Sequence, residues 1–201
     1  MIPVDLNCLL LHTEEVLLQL AKEKQQPDKI DFYTARIAAR KSAIEAYCWN
    51  NHHGFYFDYQ FKDKGQASQF TLAATFPLFF SVATAEQAQR VAECLETKFL
   101  QQHGLTITLT QSGQQWDRPN GWAPLQWIAY RGLKNYGHYR LAAEIRKRWM
   151  LANEQVFEAT GKMMEKYDVT EAKVNAGGGE YVNQAGFGWT NGVYLKFTRE
   201  A

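Results

Sequence analysis

The sequence predicts an all-α fold, a helical bundle or toroid with long irregular connections. Apolar residues recur at helical spacing over most of the 201 residues. No strand–helix–strand alternation appears, which argues against a doubly wound parallel sheet. The helical segments come in pairs joined by loops of alternating length. The two longest loops collect most of the glycine and half of the tryptophan.

The elements follow in order. Residues 5–25 carry Leu6, Leu9, Leu10, Val16, Leu17 and Leu20 at helical spacing, and Pro27 stops the run. These leucines spread beyond one stripe, so the helix is expected to lie between two layers and to leave an apolar face open if one layer is missing. Asp31 precedes a second helix, 33–49, with apolar positions Ala35, Ile37, Ala38, Ala43, Ile44 and Tyr47. Asn50 to Gly54 reads as a loop, and Phe55 to Phe61 as a short aromatic extended stretch. A third helical region, 68–82, contains Pro77; a fourth, 85–100, sets Ala88, Val91, Ala92, Leu95 and Phe99 on one face. Residues 104–122 form a long loop with a short strand expected from Thr106 to Thr110. Loops of that length are often functional. Two more helices follow at 123–136 and 138–158, the latter striped by Leu141, Ile145, Trp149, Ala152 and Val156. A second irregular stretch, 161–189, has Gly177-Gly178-Gly179 at its middle. A last helix starts near Asn191, with Thr190 as its expected cap.

Composition excludes several classes. Lys plus Arg number 22 against 21 Asp plus Glu, so charge gives no reason to expect nucleic acid or an anionic membrane as partner. No apolar run is long enough to span a bilayer. Cys8, Cys48 and Cys94 lie far apart without a Cys-x-x-Cys pair, and are expected as free buried thiols. With no secretory leader visible, they lean towards a reducing, cytoplasmic compartment. The five histidines lack metal-ligand spacing, and no HExxH, GxSxG or P-loop occurs, so no metal or cofactor is expected.

Aromatic residues make up 14% of the chain, with six Trp. They suit either a heavily packed core or a sugar site, where ring faces stack on aromatic planes. The carboxylates Asp117, Glu165, Asp168 and Glu180 lie in the long loops. Asp117 sits in Gln115-Trp116-Asp117-Arg118-Pro119-Asn120-Gly121-Trp122, and Glu180 in a Gly-Gly-Gly-Glu-Tyr run. Aromatic planes, amides and acids in such loops are the materials of a glycosidase pocket, which needs two carboxyl groups. Trp116, Asp117 and Trp122 are candidates to bind substrate in such a pocket, and local texture alone would make Glu180 catalytic.

QWDRPNGWAPLQW (115–127) and GGGEYVNQAGFGWTNGV (177–193) resemble the trehalase family of glycoside hydrolases. Ile2-Pro3-Val4-Asp5-Leu6-Asn7 and Glu165-Lys166-Tyr167-Asp168 match as well. The resemblance covers essentially the whole chain. It implies the C-terminal part of an (α/α)₆ toroid, about six helices, with residues 1–201 forming one part of a single catalytic domain. It implies hydrolysis of α,α-trehalose to two glucoses with inversion, Glu165 as general base, Glu180 in substrate binding, and trehalose or glucose as ligand. Glu165 and Glu180 are then expected to face one aromatic-lined cavity. The family's proton donor, an Asp in a Gly-Trp-Asp segment ahead of the Ile-Pro-Val-Asp-Leu-Asn stretch, has no counterpart in these residues. The chain alone is therefore expected to be inactive, and to self-associate or dock to the missing N-terminal part. A non-catalytic sugar-binding module and a purely structural half-ring are the alternatives.

Overall fold

The computed structural model describes residues 1–171 and 181–200. Helix α1 (Val4–Glu23) starts where the Val4 amide donates to Asp58 Oδ1 at 2.9 Å. Its buried stripe is Val4, Cys8, Leu11, Glu14 and Ala21. Helix α2 (Pro27–Ala43) opens six residues earlier than expected. Proline fits the first turn of a helix because that position has no use for an amide proton. Pro27 thus ends one helix and begins the next. The pair is antiparallel, with Arg36 and Arg40 of α2 meeting Glu14, and Arg40 reaching on to Asn7. No α2 residue is buried, and Ala35 and Ala38 face solvent, so α2 is an outer helix lying on α1.

Beyond α2 come the hairpins β1 (Trp49–Asn50) with β2 (Phe55–Tyr56) and β3 (Tyr59–Gln60) with β4 (Gly65–Gln66). The aromatic stretch is thus extended, but shared between two small sheets. The helix expected over 68–82 contracts to a 3₁₀ turn, Leu72–Thr75, and one α turn, α3 (Phe76–Phe79). Thr71 bridges Thr108 on one side, and Ser81 adopts φ 55° on the other, which bounds the helix at both ends. Helix α4 (Ala85–Cys94) follows, its Thr84 and Gln87 forming a reciprocal capping box. A hairpin of β5 (Leu100–Gln101) and β6 (Gly104–Leu105) comes next.

Two chain reversals share one design. α2 and α4 each unwind through a five-residue π turn, Ile44–Cys48 and Leu95–Phe99, into a two-residue hairpin. Both hairpins turn through His-Gly, His53-Gly54 and His103-Gly104, with Gly54 at φ 61° and Gly104 at φ 130°. Those backbone angles favour glycine.

The two long loops meet. β7 (Asn120–Trp122) from the first pairs antiparallel with β8 (Lys166–Asp168) from the second, in the register Asn120↔Asp168, Gly121↔Tyr167, Trp122↔Lys166. The expected strand from Thr106 to Thr110 is reduced to the single bridge at Thr108, and the ladder sits at Asn120–Trp122 instead. Helices α5 (Ala123–Asn135), α6 (Tyr139–Thr160) and α7 (Gly188–Thr198) complete the chain, with α5 against α3, α6 and α7. Thr190 does not cap α7. Phe187 holds the cap position, and Thr190 lies inside the first turn, donating its hydroxyl to the Met164 carbonyl at 2.7 Å.

One core runs through Phe55, Leu72, Leu78, Val91, Leu95, Phe99, Leu105, Leu133, Ile145, Trp149 and Phe197. Cys8, Cys48 and Cys94 are buried and free. Burial pushes the Cys48 thiol up to about 12 and Cys94 up to about 11, and raises Cys8 as well. Sequestration in the core keeps them unreactive in any compartment, so they no longer argue for a cytoplasmic one. Leu6, Leu9, Leu10, Val16 and Leu20 of α1 are each at least 41% exposed, a second apolar stripe opposite the buried one. Among the described residues no helix is long and apolar enough to cross a membrane.

Candidate active site

Glu165 lies at the bend between Met164 and β8, with its side chain 3% exposed. All four of its polar atoms are engaged. Its amide donates to the Gln184 carbonyl at 2.8 Å, and its own carbonyl accepts from Trp189 Nε1 at 3.1 Å. Oε2 accepts from Lys166 Nζ at 2.9 Å, and Oε1 from the Tyr181 hydroxyl at 2.8 Å. The segment below is fastened equally well: the Met164 amide donates to the Tyr167 hydroxyl, Met164 bridges Ala185, and the Met164 carbonyl takes the Thr190 bond. The start of α7 therefore fixes the peptide that carries Glu165.

The tryptophans gather beside it. Trp116 stacks on Trp122 with centroids 3.7 Å apart and planes at 17°, and Trp122 meets Trp189 edge-on at 5.2 Å. Trp116 is 48% exposed, whereas Trp122 is buried and its indole N–H donates to the Gln115 carbonyl. Trp116 thus offers an open ring face and Trp122 supports it from below. The ladder partner of Trp122 is Lys166, whose ammonium lies 5.6 Å from the Trp122 ring and 4.8 Å from the Tyr181 ring.

The other carboxylates have different places. Asp117 is buried; Oδ2 accepts from the Ser112 amide and hydroxyl, while Oδ1 is buried without a hydrogen-bond partner. Asp117 holds the loop that presents Trp116. Asp168 turns the chain after β8, accepting at Oδ1 from the Thr170 amide at 2.8 Å and from its hydroxyl. Glu180 lies outside the described residues, and so does the expectation that it shares a cavity with Glu165. A cleft of about 300 Å³ between α6 and α7, lined by Asn153, Glu154, Phe157, Met163, Asn191 and Tyr194, opens beside Met163 rather than onto the Glu165 carboxylate. Among the described residues no group of His, Cys, Asp and Glu could hold a metal ion.

The structure links Trp122 to Glu165 through Lys166, and Lys166, Tyr181 and Trp189 are contacts of Glu165 that the sequence did not mark as site residues. A single Lys in a loop reads as a solvated charge, and nothing local marks it as fully buried.

The trehalase family model matches residues 1–201. This chain belongs to the trehalase family. Periplasmic trehalases from Citrobacter koseri and Salmonella paratyphi B are 44% and 45% identical over 195 residues, 97% of this chain and 34% of each relative. The chain therefore spans about a third of the length of the curated relatives it matches. Among solved structures, the neutral trehalase of Saccharomyces cerevisiae superposes with a TM-score of 0.81 at 29% identity, covering 98% of this chain and 37% of that one. The mannosylglycerate hydrolase of Thermus thermophilus gives 0.76 at 26% identity, covering 98% and 45%. The helix pairs described above are those of an (α/α)₆ toroid. The chain is a segment of the trehalase family, and the relatives named for their location are periplasmic.

Proposed function

We propose that this chain is the C-terminal part of a trehalase catalytic domain, and that Glu165 is the general base of its inverting hydrolysis of α,α-trehalose to two glucoses. The observation that carries the reading is the Glu165 carboxylate, oriented by two donors beside the Trp116–Trp122 stack. In an inverting glycosidase one carboxylate removes a proton from the attacking water while a second, about 6.5–9.5 Å away, protonates the leaving oxygen. Glu165 takes the first role, and the exposed Trp116 face supplies a stacking surface for a glucose ring. Glu180 and Asp117 complete the substrate-binding set, Asp117 by shaping the Trp116 loop.

The second carboxyl group comes from outside these 201 residues, so the isolated chain does not turn over trehalose. The exposed α1 stripe, Leu6 to Leu20, is the face that receives the remainder of the ring. An open apolar face of this kind marks a contact surface. We place the protein in the periplasm, as for its relatives.

The test is glucose release from trehalose by the chain alone, and by the chain mixed with the part of the Citrobacter koseri trehalase that it does not match. We expect activity only in the mixture, falling about 10²–10⁴-fold with Glu165→Gln. Release by the chain alone would overturn the incomplete-site reading. A mixture indifferent to Glu165→Gln would overturn the role of Glu165. Light scattering of the chain alone separates docking from self-association.

A further inference from the structure

We propose that Lys166 and Tyr181 are positioning residues that hold the Glu165 carboxylate fixed in direction, one on each oxygen. The inference rests on Glu165 acting as base and goes on to say how the chain sets it.

Lys166 is fully buried, as is the Glu165 carboxylate it contacts. Removing an ammonium from water is costly, and a buried ion pair adds little or nothing to stability compared with apolar residues of the same shape. Packing alone would favour Met or Leu at this position. What the ammonium supplies that they cannot is charge at Oε2, 2.9 Å away. Its flanking aromatic faces, Trp122 at 5.6 Å and Tyr181 at 4.8 Å, offset part of the lost hydration.

Tyr181 acts on the other oxygen. Its hydroxyl donates to Oε1, so the plane of the carboxylate is set by two donors of different origin. Lys166 comes from β8 and Tyr181 from the segment leading to α7, while the Glu165 main chain is anchored at Gln184 and Trp189. Rotation about the last side-chain bond breaks at least one bond whichever way it turns. Each carboxylate oxygen accepts more than one hydrogen bond, so the clamp leaves acceptor capacity for a water. A base held in this way meets the water already aligned, and loss of alignment by an ångström costs about 10²-fold in rate.

Two measurements test this. The first is ¹H–¹⁵N NMR of the lysine ammonium groups in the 201-residue chain, with Lys166→Met giving the assignment. We expect one slowly exchanging ammonium signal that vanishes in Lys166→Met and shifts or broadens away in Glu165→Gln, with the backbone amide spectrum elsewhere unchanged. No protected signal, or one indifferent to Glu165→Gln, overturns the clamp whether or not the assembled protein turns over. The second is kinetics of the chain assembled with the complementary part of its relative. Lys166→Met and Tyr181→Phe should each lower kcat about 10–10²-fold with KM changed less than about threefold. If Glu165→Gln abolishes activity while both variants keep wild-type kcat, the positioning role fails and the general base stands. If Glu165→Gln itself keeps activity, the general-base reading is what fails.

Discussion

Gly121→Ala is expected to unfold the site from within. Gly121 sits at the centre of β7, facing Tyr167 across the ladder. A Cβ placed there would lie 2.3 Å from Val169 Cγ1, 3.0 Å from the Leu105 carbonyl oxygen and 3.1 Å from Trp149 Cζ3. None of the three gives way easily. Val169 and Trp149 are fully buried. Leu105 is held at both backbone atoms by one side chain: Gln126 Oε1 accepts from its amide at 2.9 Å and Gln126 Nε2 donates to its carbonyl at 2.7 Å. Overpacking a filled core costs about 1–3 kcal/mol, and a contact as short as 2.3 Å puts this substitution at the upper end. At roughly 2–4 °C per kcal/mol for a chain of this size, the melting temperature should fall by about 6–12 °C. Gly192→Ala is the paired control. Gly192 lies inside α7, its added Cβ meets nothing within 4 Å, and its φ is not positive. The same chemical change there should stabilise by about 0.5–1 kcal/mol, because alanine loses less freedom than glycine on entering a helix. The assay is thermal unfolding followed by circular dichroism, with Gly121→Ala/Val169→Ala as the rescue. Equal shifts for Gly121→Ala and Gly192→Ala, or a double variant no better than Gly121→Ala, would refute the steric argument.

Two further outcomes concern the helices that carry the ring. Glu14→Gln should cost about 1.5–3 kcal/mol, since it removes the charge that Arg36 and Arg40 share and one of the two oxygens that accept from them at the α1–α2 contact. The Arg40 guanidinium, first among several causes, holds the Glu14 carboxyl below its usual range; the stability it gives is therefore present above the ordinary carboxylate value and lost as pH falls through the lowered one. Acid melts of wild type and Glu14→Gln should converge at low pH, and a gap that persists there would contradict this linkage. Thr84→Ala should cost about 1 kcal/mol by removing the side-chain half of the α4 capping box, whereas Thr84→Ser, which keeps the hydroxyl, should lie close to wild type in urea unfolding.

Helical periodicity located the long helices because each buries a stripe that repeats with the helix. It could not show where α2 and α4 relax into π turns, since Ile44, Cys48, Leu95 and Phe99 continue an apolar pattern through the change. Pro27 was legible as a stop but equally encodes a start. Thr190 looked like a cap because its residue type suits one, yet its hydroxyl serves a carbonyl in another segment, which local sequence does not reveal.

The site divides along the same line. Trp116 and Trp122 stood out by composition, and Glu165 by its match to a family motif rather than by its surroundings, which favoured Glu180. What organises them is the pairing of β7 with β8, two three-residue strands drawn from loops far apart in the chain, without the alternation that announces a strand. That ladder sets Trp122 beside Lys166 and leaves Glu165 at the bend just before it. Strict strand alternation would send neighbouring side chains to opposite faces. Because Glu165 precedes the strand, it escapes that rule, and its carboxylate can meet the ammonium of the very next residue. The Glu-Lys dipeptide is therefore an ion pair only in this backbone, and in a continuous strand or an exposed loop the same two letters would carry no such contact.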